Sequence, residues 1–217
     1  NDNSIKYVKK YKNIKIIKNK KRGKYGSFNQ IAAYERAFNL SSGEIIFLLD
    51  SDDLFLKNKI ETIIQVFEKD KKIKVIYDLP IILSNKKKEI VHNKTKIFKN
   101  IWPYIPPQSC ISLRRRNFKK IIKKINIKKY HDIWMDFRIA IYQEYLAKNF
   151  FVLDENLTIY RKSDNNASAK FRKFSKNWWK RRLDAHNYVK LFFKKNNLNY
   201  RKNFDYYLTK LIVYFTA

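Results

Sequence analysis

A short apolar run that stops on a cluster of carboxylates constrains this chain more than any other feature. In EIIFLLDSDDLF, Glu44 to Phe55, the segment EIIFLL is apolar beyond its Glu and is bounded by Gly43 and Asp50. Such a run between turn formers reads as a strand buried on both faces, the kind found in α/β sheets. In open α/β sheets, ligands bind beyond the carboxyl ends of the strands. The strand therefore delivers Asp50, Asp52 and Asp53 to a binding position. The chain has 49 Lys+Arg and only 19 Asp+Glu, yet it crowds three acids here, where they raise one another's pKa. A divalent cation relieves that repulsion. Mg²⁺ or Mn²⁺ prefers oxygen ligands, often one or two carboxylates completed by substrate phosphates. The competing reading is a loop of surface acids capping a helix from about Leu56.

The flanking pattern alternates. KNIKIIK, residues 12–18, reads as a strand. A loop holding two of the three Gly leads to a helix with Ser27 or Asn29 as cap and Ile31, Ala32, Tyr34, Ala37 and Phe38 on its stripe. Residues 57–69 give a second helix through Ile60, Ile63, Ile64 and Phe67. Strands are expected at 74–78, 80–84, 110–115 and 156–161. Residues 85–100 read as a basic loop or hairpin, and IWPYIPPQS as an ordered extended turn. RNFKKIIKKI gives a short helix. Residues 131–147 give another, with Trp134, Phe137, Ile141 and Tyr145. From about 174 the chain is helical, and Phe204, Tyr207, Leu208, Leu211, Ile212 and Phe215 form a final amphipathic stripe. Strands alternating with helices predict an α/β fold with a mainly parallel sheet flanked by helices.

Composition narrows the partners. The formal net charge of +30 invites a nucleic-acid reading. The Lys residues are scattered, however, and Lys, Asn and Ile recur throughout, as a coding bias produces. An anionic membrane surface or acidic substrate ranks next, and nucleic acid last. The single Cys110 excludes an internal disulfide, favours a reducing compartment, and reads as a small buried residue. No signal peptide or long apolar run is visible. The absent Met and the apolar LIVYFTA ending lead us to expect a fragment of a longer protein.

As an ordered set, RGKYGSFNQ, IAAYERAFNLSS, GEIIFLL and DSDD resemble the nucleotide-binding half of family 2 glycosyltransferases. KYHDIWMDFRIAIY resembles the family's Glu-Asp element, with His131 in the Glu position, Asp132 in the Asp position and Arg138 six residues on. NDNS, PPQSCISLRRRNF and LTIYRKSDNNAS resemble the family's second-strand end, acceptor-side strand and late Tyr-Arg segment. The resemblance covers about residues 1–170, and implies a GT-A fold lacking its first strand and helix. Residues 171–217 are then a C-terminal extension of basic amphipathic helices. Trp178 and Trp179 among Lys and Arg there read either as an aromatic face packed on the domain or as a peripheral contact with an anionic membrane.

The implied reaction moves a sugar, with inversion, from a nucleoside-diphosphate donor (UDP being the family's usual one) to an acceptor hydroxyl on a saccharide or lipid-linked glycan. The resemblance places it in surface polysaccharide synthesis of a bacterial type, in the cytoplasm or at the inner membrane face. It implies Asp52 as metal ligand with help from Asp50, which otherwise binds the ribose. Asp53 orders the loop or touches the sugar. Asp2, Lys24 and Asn29 approach the nucleotide, and Mn²⁺ or Mg²⁺ is the cofactor. Asp132 becomes the general base and Asp136 the runner-up, one turn along the same helix face. Phe28 stands where the family has Arg. With half of the base pocket missing, weak nucleotide binding and an inactive fragment are expected. The rivals are a non-catalytic relative, a basic nucleic-acid or membrane module, and a nucleotidyltransferase-like enzyme.

Overall fold

In the computed structural model, alternate residues of the central strands face opposite ways, and each face is covered. The structure describes residues 3–18, 23–84, 87–92, 102–163 and 169–216. The strands are β1 (Ile45–Phe47), β2 (Leu54–Phe55), β3 (Val75–Ser84), β4 (Lys87–Ile90), β5 (Ile111–Arg114) and β6 (Phe150–Lys162). From β3, Val75 and Tyr77 enter one core while Ile76 enters the other, as a period of two requires. From β1, Ile46 and Ile45 divide the same way.

The helices fill in around this. A short α1 (Ser4–Val8) precedes α2 (Gly26–Leu40), α3 (Lys59–Lys69), α4 (Arg115–Ile125), α5 (Met135–Tyr142), α6 (Lys176–Lys195) and α7 (Phe204–Thr216). The larger core joins β5 to Ile31 of α2, Phe118 and Ile121 of α4, Ile139 of α5, and Tyr188 and Phe192 of α6. The smaller core gathers Ile63 and Phe67 of α3 with Ile76 and Leu157. The result is α/β, with helices on both faces and a helical C-terminal part.

The sheet order is β1-β5-β3-β6-β2, with β4 pairing β3 beyond its contact with β5. Among the described strands only β3 and β6 pair in parallel; β1–β5, β3–β5, β2–β6 and β3–β4 are antiparallel. The expected mainly parallel sheet is therefore mixed. β1, β3 and β6 run the same way, but β5 inserts antiparallel between β1 and β3 and breaks up the parallel pairing.

Several local expectations change. Residues 12–18 form no strand, and Ile14 and Ile16 are exposed. No described strand pairs with them, so their alternation has no buried face to fill. The strands expected at 74–78 and 80–84 are one, β3. Its register against β6 shifts around Leu79 and Pro80, where proline lacks the N–H that a ladder needs. The basic stretch forms a hairpin as far as β4. The helix expected from 131 begins at Met135 and ends in a π-helical turn, Gln143–Ala147. Neither Ser27 nor Asn29 caps α2, whose N-cap is Tyr25 with no side-chain bond. On α7, Phe204, Tyr207, Leu211 and Phe215 of the apolar stripe face outward, while Tyr206 and Thr209 are buried. Among the described residues no helix is long and apolar enough to cross a membrane.

Candidate active site

The acidic loop leaves β1 at its carboxyl end and is fastened from three directions. Ser109 receives the backbone N–H of Asp50 at 2.9 Å and donates its hydroxyl to Asp53 at 2.6 Å. The backbone N–H of Arg161, on β6, donates to the other Asp53 oxygen at 3.0 Å, and the Arg161 Nε donates to the Asp52 carbonyl. Gln108 donates to Asp50 at 3.1 Å and to the Tyr34 hydroxyl, which itself lies 3.4 Å from Asp50. Asp53 is thus a buried anchor, and Asp52 is left exposed.

Ser109 is itself held by a buried cation. The Lys59 Nζ, from α3, donates to Asp78 at 2.7 Å, to the Ser109 carbonyl at 2.7 Å and to the Thr158 hydroxyl at 2.6 Å. Thr158 donates in turn to Asp78 at 2.6 Å. All three donors of the ammonium find acceptors, as a buried charge requires. Asp78 follows Ile76 by two residues, on the side of β3 that α3 covers. None of Lys59, Asp78, Ser109 or Thr158 stands out in the sequence. One lysine among many carries no mark of burial, although Lys59 at a helix start opposite an acid inside an apolar strand was a faint sign.

The electrostatics follow. Burial, then the charges of Asp53, Asp136 and Asp52, pushes Asp50 up to about 6. Burial also raises Asp53, opposed by its bonds from Ser109 and Arg161. Asp136 is raised by desolvation. The charge of Asp136 thus reaches Asp50, and Asp136 also lines a cavity of about 390 Å³ walled by Trp102, Trp178, Arg181 and Arg182. Asp132 faces elsewhere: it pairs with Lys170 at 2.9 Å and with His131 at 3.6 Å, and its charge adds to the burial that raises Asp184. It lies ahead of α5, in a turn, so the two acids do not share a helix face as expected.

That turn has its own brace. The buried Arg138 donates to the carbonyls of Ile125, Ile127, Lys129, Tyr130 and Ile133, and lies 4.7 Å from the Tyr188 ring centroid. It fixes the chain on both sides of Asp132. His131 stacks on Tyr25 at 4.2 Å between centroids, and its carbonyl accepts the Ser27 hydroxyl. Asn29 accepts from and donates to Gly23 at 2.8 Å, so its amide closes the glycine loop instead of capping a helix. A Cβ on Gly23 would meet that amide at 3.1 Å. Lys24 lies 5.6 Å from the Tyr25 ring centroid. Asp2 lies outside the described residues.

Among the described residues, no three His, Cys, Asp or Glu side chains converge as a closed metal set. A Mg²⁺ or Mn²⁺ bound with a diphosphate needs only one or two carboxylates. The exposed Asp52 and the charge-repelled Asp50 supply hard oxygen donors of that kind.

Comparison with known proteins speaks to the family and the fold. The model of glycosyl transferase family 2 matches residues 1–135. A glycosyltransferase of Nostoc sp. (strain PCC 7120) is 29% identical over 170 residues, 72% of this chain and 50% of the relative. The chain thus spans half the length of that relative. The structure of S. aureus TarS 1-349 in complex with UDP-GlcNAc superposes with a TM-score of 0.59 at 13% identity, over 98% of this chain and 58% of that one. A second structure of TarS 1-349 gives 0.54 at 13% identity, over 87% and 68%. These two likenesses speak to the fold.

Proposed function

The chain belongs to glycosyl transferase family 2, and from that premise we propose that it transfers a sugar from a nucleoside-diphosphate donor to an acceptor hydroxyl, with inversion. One observation carries the reading: a fastened Asp50-Ser51-Asp52-Asp53 loop at the end of β1, with Asp52 exposed and Asp50 within electrostatic reach of Asp136, which lines a cavity. UDP is the favoured donor nucleotide, since the TarS structure holds UDP-GlcNAc. A saccharide in surface-glycan assembly is the favoured acceptor, and the aromatic walls of the 390 Å³ cavity suit a sugar ring.

Asp52, assisted by Asp50, would hold Mn²⁺ or Mg²⁺ against the diphosphate. The cation would supply Lewis-acid stabilisation of the leaving group. Asp53 and Ser109 keep the loop in place while the anomeric carbon–phosphate oxygen bond breaks. On the resemblance, Asp2, Lys24 and Asn29 would contact the nucleotide, and Asn29 shapes the glycine loop through Gly23. On the resemblance, Asp132 takes the acceptor proton as the new bond forms on the opposite side. Asp136 is the second reading for that base, favoured by its coupling to Asp50 and its place in the cavity. We place the enzyme in the cytoplasm or at the inner membrane face, with residues 1–170 catalytic and 171–217 a helical extension.

Calorimetric titration with UDP, GDP and dTDP, with and without Mn²⁺, tests the donor site. We expect Mn²⁺-dependent binding of UDP, lost in Asp52→Asn. A folded protein that binds none of the three would overturn the reading. Turnover of UDP-sugar by Asp132→Asn and Asp136→Asn separates the two bases. Loss of kcat with retained UDP binding identifies the base.

A further inference from the structure

We propose that a second pocket, at the opposite end of the sheet from the acidic loop, binds a multiply phosphorylated anion. The pocket encloses about 770 Å³. Glu44 precedes β1, Lys74 precedes β3, Asn149 precedes β6, and Arg114 ends the antiparallel β5, so all four meet at one edge of the sheet. Backbone bonds lock them together: Lys74 N–H to Asn149 at 2.9 Å, Arg114 N–H to Lys74 at 3.0 Å, and Arg115 N–H to Glu44 at 2.7 Å. Glu44 and Asp50 lie at opposite ends of the β1 segment, roughly 20 Å apart by strand rise. The site is therefore separate from the donor site and does not rest on the reading of glycosyl transfer.

Three features select the ligand. First, two guanidinium groups are already fixed. Arg114 donates to the Ile73 carbonyl at 3.0 Å and the Phe67 carbonyl at 2.5 Å, and packs on the Phe67 ring at 4.8 Å. Arg115 donates to Ser41 at 2.8 Å and the Phe38 carbonyl at 3.0 Å, and packs on the Phe38 ring at 4.4 Å. Groups held in place lose little entropy when an anion arrives. Second, α4 begins at the pocket with no side-chain cap and no acid in its first turn. The N–H groups of Arg116 and Asn117 thus lack intrahelical partners and favour an anion. Third, Asn117 lines the pocket at 7% exposure, and its side-chain Nδ2 has no hydrogen-bond partner. A buried amide donor without an acceptor is costly and points to a missing one.

Around these, the exposed Arg116, Lys71 and Lys120 form no ion pair among the described residues. Among the described residues the sole acid in the lining is Glu44, whose side chain is 84% exposed and 3.4 Å from Arg114. Forked guanidinium groups, a helix N-terminus and a volume larger than one phosphate together fit two or more linked phosphoryl groups. Such groups come either from a soluble polyphosphate-like anion or from phospholipid headgroups.

The test uses the 217-residue chain at physiological salt, titrated with tripolyphosphate and, separately, with phosphatidylglycerol vesicles. Three variants are compared with the wild type: Arg116→Gln/Lys120→Gln, Asn117→Ala, and a control on α7, Lys202→Gln/Lys210→Gln. We expect saturable tripolyphosphate binding that weakens about tenfold in the first two variants and less than about twofold in the control. It should persist in Asp52→Asn, which removes only the donor-site carboxylate. If the selective loss appears with vesicles alone, the same phosphate chemistry is drawn from lipid. Equal losses in pocket and control variants, loss of binding in Asp52→Asn, or no saturable binding in either arm would overturn the proposal. Circular dichroism melts confirm folding; Arg116 and Lys120 are exposed, so that double variant is expected to fold.

Discussion

At the scale of single residues, Asp50 carries the clearest pH signature. Its folded pKa of about 6 stands above the ordinary 3.8. A carboxyl raised in this way favours the fold when protonated. Its contribution is full below the unfolded value and is lost as pH rises through about 6. Asp50→Asn should therefore stabilise the protein at pH 7.5 by on the order of 1 kcal/mol, after discounting for solvent, and be neutral at pH 3.5. Urea unfolding at the two pH values checks this; equal effects at both would contradict it. The same titration predicts that Mn²⁺-dependent nucleotide affinity falls as pH drops through about 6, because protonated Asp50 loses its charge. The acids were legible in the sequence because scarce carboxylates stood at the end of an apolar strand. Their anchor Ser109 was not, because a serine 56 residues from Asp53 is joined to it only by folding.

At the scale of elements, α3 is fixed to β3, β6 and the Gln108–Cys110 turn through the ammonium of Lys59. Removing one partner of a buried pair leaves the other charged and unsatisfied. Lys59→Met should cost roughly 3–5 kcal/mol, and Lys59→Met/Asp78→Leu should recover part of it. Denaturant melts of the two singles and the double give the coupling, and additive losses would show that the pair does not act as a unit. Because Lys59 also holds the Ser109 carbonyl, Lys59→Met should weaken UDP binding as well. Most helices were legible from their apolar spacing, α4 through Phe118, Ile121, Ile122 and Ile125 most plainly. The start of the α5 helix was not, because Arg138 draws five upstream carbonyls around itself and holds residues 125–133 in a turn.

At the scale of the whole molecule, Asp205 ties the helical extension to the rest. It accepts from Arg182 at 2.7 Å, His186 at 3.0 Å and Trp102 at 2.9 Å, joining α7, α6 and the segment that lines the cavity. Bonds from Arg182 and Trp102, with the positive charge of Arg182, outweigh burial and hold Asp205 below its ordinary range, while burial lowers His186. Both groups lend stability at neutral pH that is lost as pH falls, opposite in sign to Asp50. Asp205→Ala should cost roughly 2–4 kcal/mol at pH 7 and less only well below the ordinary carboxyl value of 3.8, read from melts across that range. Proteolysis between α6 and α7 should quicken in the same variant; an unchanged rate would show that the network does not dock α7. By itself the sequence determined the α/β class, the order of most elements and the acidic loop at a strand end, because apolar periodicity and turn residues act over a few neighbours. Only the tertiary structure decided that β5 runs antiparallel between β1 and β3, that Lys59 reaches Asp78, that Asp50 feels Asp136 rather than Asp132, and that Arg114 and Arg115 meet Lys74 in one pocket. Those outcomes depend on which distant surfaces bury one another, and burial across a sheet leaves no local trace in the chain.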